Sequence, residues 1–262
     1  MKTRLDAELV RRGLARSREA ATDLIAAGNV LVSGMPASKA ATQVDAETSI
    51  TLKDDHAEFV SRGGHKLAGA LDKFTQIDVS GKTALDAGAS TGGFTDVLLK
   101  RGAMKVVAVD VGYGQLAWEL QKDTRVKILD RVNVRNLTSA QVGEEIDLVV
   151  ADLSFISLKL VLPALISVAK EGADFLVMVK PQFEVGKEKL GAGGVVRDVH
   201  LRKEAVVAVA DAAFALTLGT LGVVASPLPG PSGNVEYFLW LRKGAPALLE
   251  VDLDLAIEKG PA

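Results

Sequence analysis

Residues 84–98, ALDAGASTGGFTDVL, hold the densest set of groups suited to gripping a small ligand. An apolar strand ends at Asp86, and Gly88, Gly92 and Gly93 crowd the turn before a helix. With Ala89 and Ser90 between them, these small residues let the backbone approach a bound molecule, which the helix N-terminus then faces. A second apolar run, Val106–Val109, ends in Asp110, about twenty residues past the glycines, where a carboxylate accepts hydrogen bonds from ribose hydroxyls. A third run ends at Asp130, placed to hold an adenine amino group. A nucleoside-bearing cofactor is the expectation, although a glycine-rich turn without a ligand also fits this segment alone. The phosphate loop G-x-x-x-x-G-K-[ST] is absent. GASTGGF departs from G-x-G-x-x-G, and no hydride-transfer constellation follows, but a nicotinamide dinucleotide stays open at this point.

Composition narrows the chemistry. The chain has no cysteine, which removes disulfides, thiolate metal sites and a cysteine nucleophile. Methylation at a pyrimidine C5, which usually begins with thiolate attack on the ring, goes with them. The three histidines, His56, His65 and His200, are scattered, so no metal is expected. Acidic and basic residues nearly cancel, 33 against 31, and net charge names no partner.

The elements that must position these groups fall into two textures. Residues 1–52 read as two helices and short strands. Leu5, Leu9 and Val10 share a face of Arg4–Arg12. Ser17 can cap a second helix with Ala20, Ala21, Leu24 and Ile25 inward, and Gly28-Asn29 stops it. Val30–Val32 and Ile50–Leu52 read as strands, with a turn over Ser33-Gly34-Met35-Pro36. Residues 53–60 are polar and read as a linker to a second domain over 61–262. There, apolar strands are expected at Thr83–Ala87, Val106–Val109, Val126–Leu129, Asp147–Ala151 and Phe175–Val179, with helices such as Gly93–Arg101 and Ser157–Lys170 between them. That alternation predicts an α/β fold, a parallel sheet with helices on both faces. Gln182–Val199 reads as a loop, and Leu221–Val224 and Tyr237–Leu241 finish the sheet. The apolar stretch Ala205–Ala225 is interrupted by Asp211, Thr217, Gly219, Thr220 and Gly222, and reads as a helix then a strand rather than a membrane span. The charged start MKTRLDAELVRRG lacks the apolar core of a secretory signal, so a cytoplasmic protein without stable membrane association is expected.

Longer motifs carry a resemblance. RLDAELVRRGLARSREAATDLIAAGNVLVSG resembles the S-four-type RNA-binding module, a small α+β (αL) domain. SRGGHKLAGAL, DAGASTGGFTDVLL, VDVGYGQLAW, VVADLSFISL, VKPQFEVG and PGPSGNVEYFLWL resemble the TlyA (hemolysin A) family, which joins that module to an FtsJ/RrmJ-like methyltransferase domain. The resemblance implies a Rossmann-like class I methyltransferase sheet and S-adenosylmethionine as cofactor. It also implies 2′-O-methylation of cytidine in 23S and sometimes 16S ribosomal RNA, with ribosomal RNA or subunits as partners. The Lys-Asp-Lys-Glu tetrad of FtsJ-like enzymes falls on Lys66, Asp152, Lys180 and Glu236, and cofactor contacts on Gly92, Phe94, Asp110, Asp130 and Asp152.

The chemistry asks for such residues. A ribose hydroxyl is a weak nucleophile until it is aimed and its proton removed. An ammonium cannot take that proton, whereas a neutral lysine can, and burial beside like charge favours the neutral form. Lys180, directly after an apolar strand, is the expected centre, with Lys66, Asp152 and Glu236 positioning. Asp152-Leu153-Ser154-Phe155 stands where amino-group methyltransferases carry [DN]-P-P-[YF], which argues against base-nitrogen chemistry. Arg4-Leu5-Asp6 imitates a pseudouridine synthase tripeptide, but no catalytic domain of that type follows. Residues 1–30 hold six basic side chains, Lys2, Arg4, Arg11, Arg12, Arg16 and Arg18, against four acidic ones. Within the module, Arg4, Arg16 and Arg18 become expected phosphate contacts; Arg62, Arg131 and Arg135 are expected to grip the target strand. A catalytically silent RNA-binding assembly factor and a membrane-active haemolysin are the alternatives.

Overall fold

The computed structural model describes the chain apart from residues 1–2, 16, 34, 46–47, 53–57, 187, 189, 231 and 261–262, and apart from the side chains of Thr51 and Ala192. Lys2, Arg16, Gly34 and most of the expected linker, residues 53–57 with His56, therefore lie outside the described residues. The chain divides into two compact units, Met1–Glu58 and Phe59–Ala262.

The first unit runs β1 (Thr3–Arg4), α1 (Leu5–Arg11), α2 (Arg18–Ala26), β2 (Val30–Val32), β3 (Met35–Pro36), β4 (Gln43–Val44) and β5 (Ile50–Leu52). Leu5, Leu9, Ala21, Ile25, Val30, Val44 and Ile50 form its core, as the helical spacing requires. Ser17 caps α2 by accepting a hydrogen bond from the Ala20 N–H at 3.1 Å. The turn expected over 33–36 is shorter than the sequence implies. Ser33 has φ 51°, but Met35 and Pro36 already pair with Val32 and Leu31. β3 is an edge strand, where proline's missing N–H costs no ladder bond.

The second unit runs α3 (Arg62–Lys73), β6 (Thr83–Ala87), α4 (Gly93–Lys100), β7 (Lys105–Asp110), α5 (Trp118–Lys122), β8 (Val126–Asp130), α6 (Ser139–Val142), β9 (Ile146–Ala151), α7 (Leu158–Val168), β10 (Ala169–Val179), α8 (Val199–Ala215), β11 (Leu218–Ala225), β12 (Tyr237–Lys243) and α9 (Glu250–Glu258). Its sheet has the order β11-β12-β10-β9-β6-β7-β8. β10, β9, β6, β7 and β8 pair in parallel, while β12 is antiparallel to both β10 and β11. Alternate residues of the strands feed two cores. Leu85, Val107, Val149 and Val177 pack with α7 and α8, and Ala84, Val106, Leu148 and Leu176 with α3 and α4. Helices thus cover both faces, as expected for strands apolar on both sides.

Two boundaries differ from the sequence reading. Lys170 was expected in a helix, but the helix ends at Val168 and β10 begins at Ala169, with a bulge before Asp174. Phe59 and Val60, at the end of the expected linker, belong to the second unit. Phe59 is buried over Gly64, where a Cβ would lie 2.3 Å from the Phe59 Cβ.

Candidate active site

β6 and β9 are parallel neighbours from which the chain departs in opposite directions, to β7 on one side and β10 on the other. Such a reversal leaves a crevice beyond the carboxyl ends of the two strands, where open α/β sheets bind ligands. Gly88 follows β6 with φ 89°, and a Cβ there would meet the Asp152 carbonyl oxygen at 2.5 Å. Glycine is required to bring the two strand ends this close. A cavity of about 500 Å³ opens here, lined by Gly88, Ser90, Asp110, Gln115, Asn133, Asp152 and the segment Leu153–Ile156, among others.

The expected cofactor residues divide into wall and support. Gly88, Ser90, Asp110 and Asp152 line the cavity. Asp110 accepts hydrogen bonds from the Ser90 N–H at 2.8 Å and the Gly112 N–H at 2.7 Å, which fixes its carboxylate on the wall. Asp130 pairs across the sheet with Asp110 but is not among the lining residues; it accepts from the Gly114 N–H at 2.9 Å. Gly92 and Gly93 make room for helices rather than opening on the cavity. A Cβ on Gly92 would strike Leu120 and Leu116, and one on Gly93 would strike Ser61 and the Gly64 nitrogen. Ala89 and Phe94 are buried, and the Phe94 ring lies against Phe238 at 6.0 Å between centroids. Gln115 and Asn133 were not anticipated, because an amide after a strand carries no spacing signal.

Asp86 lies wholly buried beneath the loop. One carboxylate oxygen accepts from the Thr95 hydroxyl at 2.6 Å, and the other, Oδ1, has no partner. Burial pushes its pKa up to about 7 from the ordinary 3.8; the Thr95 hydrogen bond opposes the rise, and the charges of Asp152 and Asp110 add to it. The folded protein therefore holds a proton that the unfolded chain releases near pH 4, and stability contributed by the neutral form declines as pH rises through 7. Asp86→Asn does not titrate. Its melting temperature relative to wild type, measured without cofactor, is expected to rise between pH 5 and pH 8. A pH-independent difference would contradict this placement of Asp86.

A second cavity, of about 760 Å³, is lined by Lys180, Gln182, Phe183, Ser232, Asn234 and Glu236, and shares Ser154, Phe155 and Ile156 with the first. The tetrad residues form two ion pairs, Lys180–Asp152 spanning the two cavities and Lys66–Glu236 at the second. Lys180 Nζ lies 2.5 Å from Asp152 Oδ1 and donates a hydrogen bond to Ser154 Oγ at 2.9 Å. The Asp152 contact is ionic by distance, since that oxygen makes no aligned hydrogen bond. Lys66 Nζ donates to Glu236 Oε2 at 2.5 Å, with both side chains buried. Lys66 thus reaches the cavity through Glu236 and is not itself on its wall. Phe155 has φ 63° and is 91% exposed, with its ring 5.2 Å from that of Phe183. A left-handed aromatic residue is a strained arrangement of the kind concentrated at functional sites. Glu184 holds this wall in place by accepting from Ser157 Oγ at 2.6 Å and the Leu158 N–H at 2.7 Å, and burial raises its pKa.

Residues 59–243 match the FtsJ-like methyltransferase family, and residues 3–50 match the S4 domain. The chain is 58% identical over 266 residues to the 16S/23S rRNA (cytidine-2′-O)-methyltransferase TlyA of Mycobacterium tuberculosis, covering 99% of each. It is 36% identical to Hemolysin A of Brachyspira hyodysenteriae over 89% of this chain and 97% of that one. A solved structure from Streptococcus thermophilus that bears the hemolysin name matches with a TM-score of 0.80 and 35% identity, over 98% of this chain and 95% of that one. The chain belongs to the TlyA family of FtsJ-like methyltransferases.

In this TlyA-family chain the expected RNA contacts have mixed surroundings. Arg4 and Arg18 both bind the Asp6 carboxylate, at 3.0 and 2.9 Å, yet remain 46% and 60% exposed. Arg4 and Arg18 hold the Asp6 carboxyl well below the usual range, so this carboxylate ties the two guanidiniums together. Glu8 does the same for Arg11 and Arg12. Arg62 and Arg135 are exposed. Arg131, with φ 58°, sets its guanidinium 4.3 Å over the Tyr113 ring. Among the described residues no group of histidine, aspartate and glutamate side chains is arranged to hold a metal ion, and no helix is long and apolar enough to cross a membrane.

Proposed function

We propose that the protein catalyses S-adenosylmethionine-dependent 2′-O-methylation of cytidine in ribosomal RNA, with 23S as the first candidate substrate and 16S as the second. One observation carries the reading. A cavity of cofactor type and a cavity holding Lys180 and Glu236 share the single wall Ser154–Ile156. Two reactants brought to either side of that wall meet beside Lys180. The residues fit S-adenosylmethionine: the Gly88 approach opens the crevice, Asp110 offers its carboxylate, and Asp86 keeps an unpartnered oxygen behind the loop. When bound, S-adenosylmethionine supplies an electrophilic methyl group and departs as the thioether S-adenosylhomocysteine.

The protein's own residues do the rest. Lys180 takes the proton of the ribose 2′-hydroxyl as the new oxygen–carbon bond forms. Asp152 and Ser154 hold its amine at the junction, and Glu236 with Lys66 shapes the hydroxyl's side of the site. Phe155 and Phe183 offer aromatic faces to a base flipped out of its helix. The division of labour follows the domains. Residues 1–52 bind RNA, with Arg4, Arg16 and Arg18 on phosphates, and residues 59–262 carry the chemistry, with Arg62, Arg131 and Arg135 on the target strand. Asp130, Gly92, Gly93, Ala89 and Phe94 support the cofactor site from behind. The cytoplasm, where ribosomes are modified, is the proposed location.

The atom that receives the methyl decides the matter. A 2′-O-methyl group blocks attack of that oxygen on the neighbouring phosphorus, whereas a base methyl does not. Partial alkaline hydrolysis of ribosomal RNA treated with enzyme and S-adenosylmethionine is expected to miss one band, 3′ to a cytidine. Methyl incorporation with a continuous ladder would show a different product. Cofactor binding without transfer to any ribosomal particle would favour the silent assembly factor.

A further inference from the structure

We infer that Ser154, which lies outside the Lys-Asp-Lys-Glu tetrad, is the positioning residue that aims the Lys180 amine at the ribose hydroxyl. The inference rests on the proposed role of Lys180 as proton acceptor. It starts from the geometry of a lysine nitrogen, which has three directions available besides its bond to Cε. A nitrogen that is to accept a proton must point one of these, as a lone pair, at the incoming oxygen, and its other two must be held elsewhere.

Among the described residues two polar groups lie against Lys180 Nζ, with the Phe183 ring 6.0 Å away. Asp152 Oδ1 is 2.5 Å away, but without the alignment of a hydrogen bond. Charge attraction at that distance holds the nitrogen near Asp152 without fixing its rotation, because Coulombic attraction depends on distance rather than on angle. Ser154 Oγ accepts an aligned hydrogen bond from Nζ at 2.9 Å, and hydrogen bonds weaken steeply once bent. Directional control therefore comes from the serine. Its location suits that role. Ser154 lines both cavities, whereas Asp152 lines the cofactor cavity alone and Lys180 the other alone. A hydroxyl at the junction can tether Nζ along the line joining the two reactants. The next residue, Phe155, has φ 63°, so the backbone is bent where Ser154 is presented, a strain the fold sustains at this wall.

The hydroxyl also suits both protonation states. It accepts from an N–H of the amine before transfer and from the ammonium afterwards, so no bond need be remade as the proton arrives. The Asp152 carboxylate, 2.5 Å from Nζ, favours the ammonium and so stabilises the state formed once the proton has arrived, whereas the serine hydroxyl accepts from the nitrogen in either state.

Full-length wild type, Ser154→Ala, Ser154→Thr, Lys180→Ala and the Ser154→Ala/Lys180→Ala double variant are compared on ribosomal subunits. Three quantities are read: single-turnover methylation rate, KM for the subunit, and S-adenosylhomocysteine affinity by calorimetry. Ser154→Ala is expected to slow transfer on the order of 10- to 100-fold, the scale set by misaiming a reacting group. KM and cofactor affinity should stay within about twofold, the pattern of an interaction used in the transition state. Ser154→Thr, which keeps the hydroxyl, should recover most of the rate. In the Lys180→Ala background the serine change should cost nothing further, because there is no amine left to aim. Unchanged transfer by Ser154→Ala overturns the inference, as does a loss confined to KM or cofactor affinity, or an additive loss in the double variant. These outcomes require an active wild type. A wild type that binds cofactor yet transfers no methyl to any subunit overturns the proposed function itself, and this inference with it.

Discussion

Lys180→Ala is expected to lower the methylation rate on the order of 10²–10⁴-fold, the range for a lost acid–base group, while leaving S-adenosylmethionine affinity near wild type. The separation follows from the two cavities. Lys180 lines the cavity that holds Glu236 and the aromatic pair, and is absent from the wall that carries Gly88 and Asp110. Truncating it removes the amine beside the shared wall without reshaping the cofactor side. One complication is Asp152, which does line the cofactor cavity and would lose its cation. Its side chain is 22% exposed, against 10% for Lys180, so water can replace part of that interaction. Cofactor affinity is measured by calorimetry and transfer by single-turnover incorporation. A Lys180→Ala protein that methylates at close to the wild-type rate would sink the acid–base assignment. Lys180→Arg is the sharper control. It keeps positive charge but cannot become neutral near pH 7, so a role in charge stabilisation predicts partial activity and a role in proton transfer predicts none.

Much of this arrangement was legible because its signals are local. The strand Thr83–Ala87 and the turn after it are announced by a short apolar run closed by Gly88, Gly92 and Gly93, and all five strand positions are buried. The apolar stretch over 205–225 resolves into α8 and β11, with the break at Thr217, whose φ is 70°; Gly219 and Thr220 lie inside β11. What stayed hidden depends on contacts distant in sequence. α3 contains Gly63, Gly64 and Gly69 and reads poorly as a helix. Gly64 and Gly69 are explained only by Phe59 and Pro227, which a Cβ would meet at 2.3 and 2.7 Å, while a Cβ on Gly63 would make only ordinary contacts. Likewise Gly92 and Gly93 look like ligand-facing residues in sequence, yet the space they save is filled by α5 and α3. Asn133 carried no pattern, and Ser154 figured only as part of the departure from [DN]-P-P-[YF], with no role of its own. A hydroxyl or amide gains meaning only once a partner 26 residues away, as Lys180 is from Ser154, is brought to 2.9 Å.

The Lys66–Glu236 pair should show the largest effect on stability in the site. Its members are 170 residues apart, bonded at 2.5 Å, with side-chain exposures of 9% and 1%. Space for the carboxylate is itself built in, since a Cβ on Gly230 would lie 2.6 Å from Glu236 Oε1. Removing one partner strands the other charge in a place water hardly reaches, which costs about 3–5 kcal/mol. Lys66→Ala and Glu236→Ala should each lose stability on this scale in denaturant titrations. Replacing both by apolar residues of similar volume, Lys66→Met with Glu236→Leu, should cost distinctly less than either single change, because no lone charge remains. Transfer should respond differently. Glu236 lines the cavity of Lys180, and the double variant, though better folded than either single variant, should still fail to methylate. Stability recovered without activity would identify the pair as part of the site that the fold retains at a cost. If both single variants unfold within about 1 kcal/mol of wild type, the pair is solvated like a surface ion pair and this account of it is wrong.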